Sequence, residues 1–159
     1  IAAYRALIDA GVERGCARKL VADVGWDIYS KMLAFYSWPF RLTTRDPAKR
    51  ISRTIKALLW FPFTPRGAPG YAVQHWEANG TTYTHFTHCP PQSFVRTPIA
   101  SGDDQGDLEA FRESWCRYDW PGADILAGDD QRGHYERRQT LSQGDSVCDM
   151  CWRGRGEGQ

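Results

Sequence analysis

The sequence predicts an α+β domain in which N-terminal helices pack on a small, mainly antiparallel β-sheet of hairpins. Apolar residues recur at helical spacing as far as Trp60, whereas apolar and polar residues alternate from Gly70 onwards. Asn79-Gly80 lies between two alternating runs, and this dipeptide is the strongest local signal for a hairpin. We therefore expect helices in the first part of the chain, and after them mainly strands with one further helix.

The first helical region is weakened in its middle by Gly11, Gly15 and Gly25, so we expect either two helices or one bent helix. Trp38-Pro39 is expected to end this region, because a residue that precedes proline disfavours the helical conformation. The apolar residues that follow the helical spacing are Leu7, Val12, Leu20, Val24, Ile28, Met32 and Phe35.

A second helix is predicted to begin at Asp46-Pro47, an N-cap followed by proline, and to end near Trp60. Its apolar residues interleave at helical spacing with basic ones, which favours a solvated helix face over a phosphate-binding face. The apolar set is Ile51, Ile55, Leu58 and Leu59, and the basic set is Arg45, Lys49, Arg50, Arg53 and Lys56. The proline-containing segment 61–67 is predicted to be a loop.

The first hairpin is predicted around Asn79-Gly80, a pair suited to the positive φ values of a type I′ turn. With these two residues as the loop, Trp76 faces Tyr83 across the strands. Pro90-Pro91 ends the second strand. One face of this hairpin then carries Gln74, Trp76, Tyr83, His85, Thr87 and Cys89.

The remaining elements are a helix and a closing hairpin. A polar loop at 101–106 precedes Asp107, which is expected to cap a helix that runs to about Tyr118. The hairpin strands are predicted at 134–141 and 147–153, with the turn at Gln143-Gly144-Asp145. In the second strand Cys148, Met150 and Trp152 form the expected core face, and Asp149 lies on the other face.

The size and composition fit one domain over residues 1–153 with a flexible tail at 154–159. The chain has 159 residues, of which 42% are hydrophobic and 25% charged, as in ordinary globular proteins. A formal charge of +1 argues against nucleic-acid binding, and no apolar stretch reaches the length of a membrane span. The first residue is Ile1 rather than Met, which leaves open whether a leader precedes it.

Five cysteines are an odd number, which favours reduced thiols and a cytoplasmic setting. We expect no metal site, because on extended strands His85 and His88, like Cys148 and Cys151, point to opposite faces about 10 Å apart. Cys16, on a helix rich in Leu and Ala, is expected to be a small core residue.

Two groups of residues have spacings that suit chemistry. Cys116 and Asp119 are three residues apart, so they share one face if the helix continues. Cys148 is followed by Asp149, which could orient a donor at the margin of the sheet.

The second half of the chain resembles the L-2-amino-thiazoline-4-carboxylic acid hydrolase family. Five short motifs occur in the family's order between Cys89 and Arg153, and their ordered co-occurrence carries the resemblance. The motifs are Cys89-Pro90, Cys116-Arg-Tyr-Asp119, Arg138-Gln-Thr-Leu141, Gly144-Asp145 and Cys148-Asp-Met150. The chain departs from the family at Met150, where an aromatic residue is usual, and at 91–93, a segment that is more aromatic and acidic in the family.

The resemblance implies a small-molecule hydrolase that acts on a C–N or C–S centre and needs no cofactor. A cysteine thiolate could attack the electrophilic carbon, or a carboxylate could activate water. Arg138 could hold a substrate carboxylate in bidentate fashion. The candidate catalytic residues are Cys89, Cys116, Cys148, Asp119 and Asp149, and the candidate substrate-binding residues are Trp76, Tyr83, His85, His88 and Arg138.

Two other functions stay open at this point. One is a biosynthetic cyclase or isomerase of the same fold, which the altered segment at 91–93 favours. The other is a non-catalytic domain that binds small ligands between aromatic walls, for which seven Trp and seven Tyr are suitable. The expected partner is a small-molecule substrate, and a homodimer is compatible with the sequence.

Overall fold

The computed structural model of the protein describes residues 1–63 and 70–156. The predicted loop at 61–67 and the predicted tail at 154–159 lie partly outside these described residues. The helices are α1 (Ala2–Asp9), α2 (Arg14–Thr43), α3 (Pro47–Trp60), α4 (Pro90–Ala100), α5 (Asp107–Ser114) and α6 (Asp119–Ala127). The strands are β1 (Ala72–Ala78), β2 (Thr81–His88), β3 (Tyr135–Glu136) and β4 (Cys148–Arg153), and short 3-10 helices cover Cys116–Tyr118 and Leu141–Gln143.

The fold is α+β, as predicted, with helices in the N-terminal part and an antiparallel sheet. The four strands have the order β1-β2-β4-β3, and each neighbouring pair is antiparallel. The first hairpin has the predicted register, in which Trp76 pairs with Tyr83 and Ala78 with Thr81. Asn79 and Gly80 both have positive φ, as a type I′ turn requires.

The core lies between one face of the sheet and helices α3 and α6. The apolar stripe predicted on α3 is buried, and it packs with Leu126 of α6 and with Phe86 and Trp152 of the sheet. Arg50 of α3 donates to the carbonyls of Ala127 and Gly128, so it satisfies the C-terminal end of α6. Helices α3 and α6 are therefore held against each other by both apolar and polar contacts.

The N-terminal region forms two helices, in agreement with one of the two expected arrangements. The break lies at Gly11, whose φ is +87°, a conformation that favours glycine. The expected end at Trp38-Pro39 is wrong, because α2 continues through Pro39 to Thr43. Pro39 lies on the exposed side of the helix, so the carbonyl that loses its intrahelical partner can be solvated.

Two helices were not expected from the sequence. Pro90-Pro91 ends strand β2 as predicted, but the same residues also begin helix α4. The helix predicted to run to about Tyr118 ends at Ser114, and α6 follows after a 3-10 turn. Gly122 is accommodated within α6, because Leu33 packs against it. A Cβ atom at position 122 would lie only 2.9 Å from Leu33 Cδ1.

The second hairpin is shorter than predicted. Strand β3 contains only Tyr135 and Glu136, although 134–141 was expected to be extended. Beyond it, the Asp149 carboxylate accepts the N–H groups of Arg138 and Gln139 at 3.0 and 2.6 Å. Because a side chain satisfies these backbone donors, the chain can leave the sheet without losing hydrogen bonds.

Asp107 is not the N-cap of α5. Gly106 occupies that position, and Asp107 is the first helical residue, with no exposed surface. Its carboxylate accepts from the Arg5 Nε and Nη2 at 2.8 and 2.5 Å, so the pair links α1 to α5. None of the helices in the described ranges is both long and apolar enough to cross a membrane.

Arg5→Met is expected to lower the free energy of unfolding clearly, because it leaves the buried Asp107 carboxylate without its cation. Chemical denaturation would measure the change. The control is Lys19→Met, which removes an exposed i, i+4 pair with Asp23 and should leave the free energy of unfolding nearly unchanged. Equal effects of the two substitutions would show that the Arg5–Asp107 pair does not hold α1 in place.

Candidate active-site cavity

A mostly apolar cavity of about 90 Å³ lies between α2, α3, α6 and the inner face of the sheet. An engineered apolar cavity of roughly 150 Å³ holds benzene, so this space is scaled to a small ring or less. Its aromatic walls include Tyr29, Tyr71, Trp115, Tyr118 and Trp152. The fold therefore provides a partly open, aromatic-walled site for a small molecule.

Cys89, Cys116 and Cys148 all line this cavity, together with Asp119. Cys89 follows the last residue of β2, Cys116 opens the 3-10 turn before α6, and Cys148 is the first residue of β4. The structure thus brings the three motif cysteines to one cavity. Cys16 was expected in the helical core, but it lies exposed in the first turn of α2, where Ala17 is buried instead.

Asp119 is an ionisable group held in apolar surroundings. Its Oδ2 accepts from Arg137 Nη1 at 2.9 Å and from the Tyr135 hydroxyl at 3.2 Å, and its side chain is 15% exposed. Burial raises the pKa of Asp119 to about 6, and the arginine and the hydroxyl only partly oppose this effect. Asp119 can therefore exchange a proton near neutral pH.

Arg137 is the cavity residue that sequence reasoning did not select. Its side chain is 5% exposed; the second guanidinium nitrogen donates to the Cys116 carbonyl at 3.1 Å. The guanidinium also lies 4.8 Å from the centre of the Trp120 ring, which is a cation–π contact. The strand register could have identified Arg137 as a residue that faces the cavity. Tyr135 pairs with Trp152 on the core face, and Arg137, two residues later, lies on the same face.

All three cavity cysteines have a hydrogen-bonding group at the sulfur, which is the Gln92 backbone for Cys89 and the Ser142 side chain for Cys116. The Cys148 sulfur is 3.3 Å from the backbone nitrogen of Leu141 and 3.4 Å from Thr140 Oγ1. Burial raises the pKa of Cys89 to about 11 and that of Cys116 to about 12, so these two remain thiols at neutral pH. The Leu141 N–H lies close enough to stabilise negative charge that develops on the Cys148 sulfur, so Cys148 is a candidate nucleophile.

Three candidate substrate-binding residues lie on the outer face of the sheet, away from the cavity. Trp76 stacks on Tyr83 with ring centres 5.1 Å apart, and His85 meets Trp76 edge-on at 4.6 Å. The alternate positions of β2, among them Thr84 and Phe86, are the ones that line the cavity. The hairpin register was predicted correctly, but the set chosen for binding occupies the opposite face.

The other candidates have structural contacts outside the cavity. His88 contacts the Gly70 carbonyl at 2.6 Å and the Ser93 hydroxyl at 3.0 Å, so it joins the ends of the hairpin to α4. Arg138 is 81% exposed and bonds to Glu136. Asp149 binds backbone donors, as described above, and does not line the cavity. Within the described ranges no cluster of three or more His, Cys, Asp or Glu side chains is arranged to hold a metal ion.

The chain matches no protein-family model, no curated protein and no solved structure.

The cysteines are expected to differ in their rates of alkylation by iodoacetamide at pH 8. Cys16 should react first because it is exposed, whereas Cys89 and Cys116 should react at least tenfold more slowly, because their pKa values of about 11 and about 12 leave little thiolate. Mass spectrometry of peptides from timed samples would measure each rate. Unfolded protein is the control, in which the rates should become equal; equal rates in the folded protein would contradict this account.

The Asp119 carboxyl should make the protein less stable as pH rises. A folded-state pKa above the ordinary value means that its stabilising contribution is present below about pH 4 and is lost as pH rises through about 6. Compared with Asp119→Asn, the wild type should therefore lose roughly 1–3 kcal/mol of relative stability between pH 4 and pH 7. Denaturant titrations of both proteins across this range would test the sign, and an opposite slope would mean that the pairing with Arg137 outweighs burial.

Proposed function

We propose that the protein is a small-molecule hydrolase similar to L-2-amino-thiazoline-4-carboxylate hydrolases, with Cys148 as nucleophile and Asp119 as the proton-transfer group. The observation that carries the proposal is that a sulfur which accepts the Leu141 N–H and lies beside the Thr140 hydroxyl lines the same cavity as a carboxyl group whose pKa is about 6. A nucleophile and a group that exchanges protons near neutral pH are the two parts such a hydrolysis requires.

In the proposed reaction the Cys148 sulfur attacks an electrophilic carbon that is bonded to nitrogen or sulfur. Asp119 takes up the proton released by the thiol and returns it to the leaving nitrogen or sulfur as that bond breaks. Water then attacks the thioester-like carbon, and Asp119 accepts a proton from this water and passes it to the departing Cys148 sulfur, which restores both groups. In a simpler version Asp119 activates water directly, and Cys148 contributes only to the shape of the cavity.

A basic cleft beside the cavity supports an anionic substrate. Four arginines line it, of which Arg137 is paired with Asp119 and Arg138 with Glu136. The carboxylate among its walls, Glu113, is paired with Arg18. Arg137 belongs to both the cleft and the cavity, so an anionic group bound in the cleft would lie next to the reactive groups. The four arginines are Arg112, Arg117, Arg137 and Arg138.

A non-catalytic small-ligand-binding domain is the second proposal. The walls of the cavity are predominantly apolar, and Cys89 and Cys116 are protonated at neutral pH, so two of the three cysteines contribute packing rather than charge. A binding domain would use the same cavity but would not need the donors at Cys148.

Cys148→Ser is expected to lower kcat at least 10³-fold on L-2-amino-thiazoline-4-carboxylate or on another small cyclic amidine that the wild type turns over, because a hydroxyl is a far weaker nucleophile than a thiolate. Product formation would be followed by mass spectrometry, and melting temperature would be measured on the same samples. Cys151→Ser is the matched control, since Cys151 lies on the same strand and does not line the cavity. Asp119→Asn should also abolish turnover.

The pattern of activities separates the versions of the proposal. Full activity of Cys148→Ser together with an inactive Asp119→Asn would assign the reaction to activated water. Tight binding of cyclic amidines by the wild type without any turnover would refute the hydrolase and leave the binding domain.

A further inference from the structure

Helix α2 exposes a long apolar surface on the side that faces away from the core. Seven large apolar side chains on it have between 36% and 75% of their surface exposed. They recur every three or four residues, so they form one continuous stripe along the helix. The members of this outer stripe are Leu20, Val24, Ile28, Met32, Phe35, Trp38 and Leu42.

The core contacts of α2 lie on the opposite side of the helix. Leu33 and Ser37 are buried there, and Tyr29 packs against Tyr118 with ring centres 5.5 Å apart. A helix that is apolar on both sides is normally covered on both sides. The outer stripe is therefore a surface with the composition of an interface.

The outer stripe has the area of one side of a protein–protein interface. A fully exposed side chain of this size presents roughly 200 Å², so the exposed fractions correspond to on the order of 800 Å². The largest apolar patch of an ordinary monomer is roughly 300–600 Å², whereas each side of a standard interface buries about 800 Å². The stripe is thus large enough to hold a dimer together.

The charges beside the stripe identify the occupant. Arg41, near the end of the stripe, donates to the carbonyl of Ile125 in α6. Between residues 19 and 40 the charged side chains of α2 are Lys19, Asp23, Asp27 and Lys31, which are four residues apart and follow one flank of the stripe. They form two ion pairs, with N–O distances of 2.8 and 2.7 Å, and their charges cancel. A neutral flank lacks the basic residues by which amphipathic helices bind anionic membranes.

We propose that two copies of this chain form a homodimer in which the outer stripes of the two α2 helices pack antiparallel. In an antiparallel pair related by a two-fold axis, each flank of one helix lies beside the same flank of the other helix, so the two charged flanks face each other. In a parallel pair, the charged flank of each helix would instead lie beside the uncharged flank of the other. Centring the axis at residue 29 places Asp27 of each copy opposite Lys31 of the other. It also places Leu20 opposite Trp38, so the two stripes overlap along most of their length.

The molar mass in solution tests this interface. Sedimentation equilibrium of the wild type should give twice the chain mass of 18.1 kDa, and the double variant Ile28→Glu with Phe35→Glu should give a single chain mass with unchanged circular dichroism. The control is Phe94→Glu on α4, which is also 70% exposed but lies outside the stripe and should remain dimeric. A wild type that is monomeric at about 100 μM, or a dimer that survives the double substitution, would overturn the proposal.

Disulfide trapping tests the direction and the register. In a Cys16→Ser background, Ile28→Cys should crosslink to its own symmetry mate, because the two positions are only about 3 Å apart along the axis. Leu42→Cys should not crosslink in that background, since the copies of residue 42 would be about 39 Å apart. With Cys16 retained, Leu42→Cys should instead crosslink to Cys16 of the other copy, because residue 42 lies opposite residue 16.

Two further outcomes would overturn the proposal. Self-crosslinking of Leu42→Cys in the Cys16→Ser background would mean a parallel pair. Flotation of the wild type, but not of the double variant, with phosphatidylcholine or phosphatidylserine vesicles would mean that the stripe binds a membrane surface rather than a second copy.

Discussion

The pairing of Asp119 with Arg137 inside an apolar cavity is the interaction on which the arrangement of the site depends. Two charges removed from water are tolerated only when their remaining hydrogen-bonding groups are satisfied. Here the Tyr135 hydroxyl donates to the Asp119 carboxylate. The Arg137 guanidinium donates to the Cys116 carbonyl and makes a cation–π contact with the Trp120 ring. These contacts bring the start of α6 against the end of β3, which closes one side of the cavity.

The opposite side of the cavity is determined by side chains that accept backbone N–H groups in place of inter-strand hydrogen bonds. Asp149 accepts the N–H groups of Arg138 and Gln139, and Asp145 accepts that of Thr140 at 2.7 Å. The chain therefore leaves the sheet after β3 and forms the 3-10 turn Leu141–Gln143 before β4. The backbone N–H of Leu141, the first residue of this turn, donates to the Cys148 sulfur. A longer regular hairpin would have used these N–H groups between strands, and Cys148 would have lost the Leu141 N–H as a donor.

Local patterns were sufficient to predict the fold class, helix α3 and the first hairpin with its register, because a cap, a proline and Asn79-Gly80 act through neighbouring residues. They were insufficient wherever distant contacts decide. Pro39 lies inside a helix because the rest of α2 is held by the core, and Gly122 is tolerated because Leu33 fills the space of its side chain. In the site, the period of β4 identified Cys148, but choosing between Arg137 and Arg138 required the pairing of β3 with β4.

The local sequence pattern was sufficient to predict that α2 is a helix. It was insufficient to predict which side of α2 faces the core. Its apolar residues at helical spacing define a helix, yet the most regular series, from Leu20 to Phe35, faces away from the core. The core side is instead formed by aromatic and small residues such as Tyr29 and Gly25, and a Cβ at Gly25 would lie 2.3 Å from the Tyr118 hydroxyl. One helix thus supplies a wall of the cavity with one side and an interface-sized surface with the other. Because both sides belong to one rigid element, contacts made on the outer stripe would restrain the position of Tyr29 at the cavity.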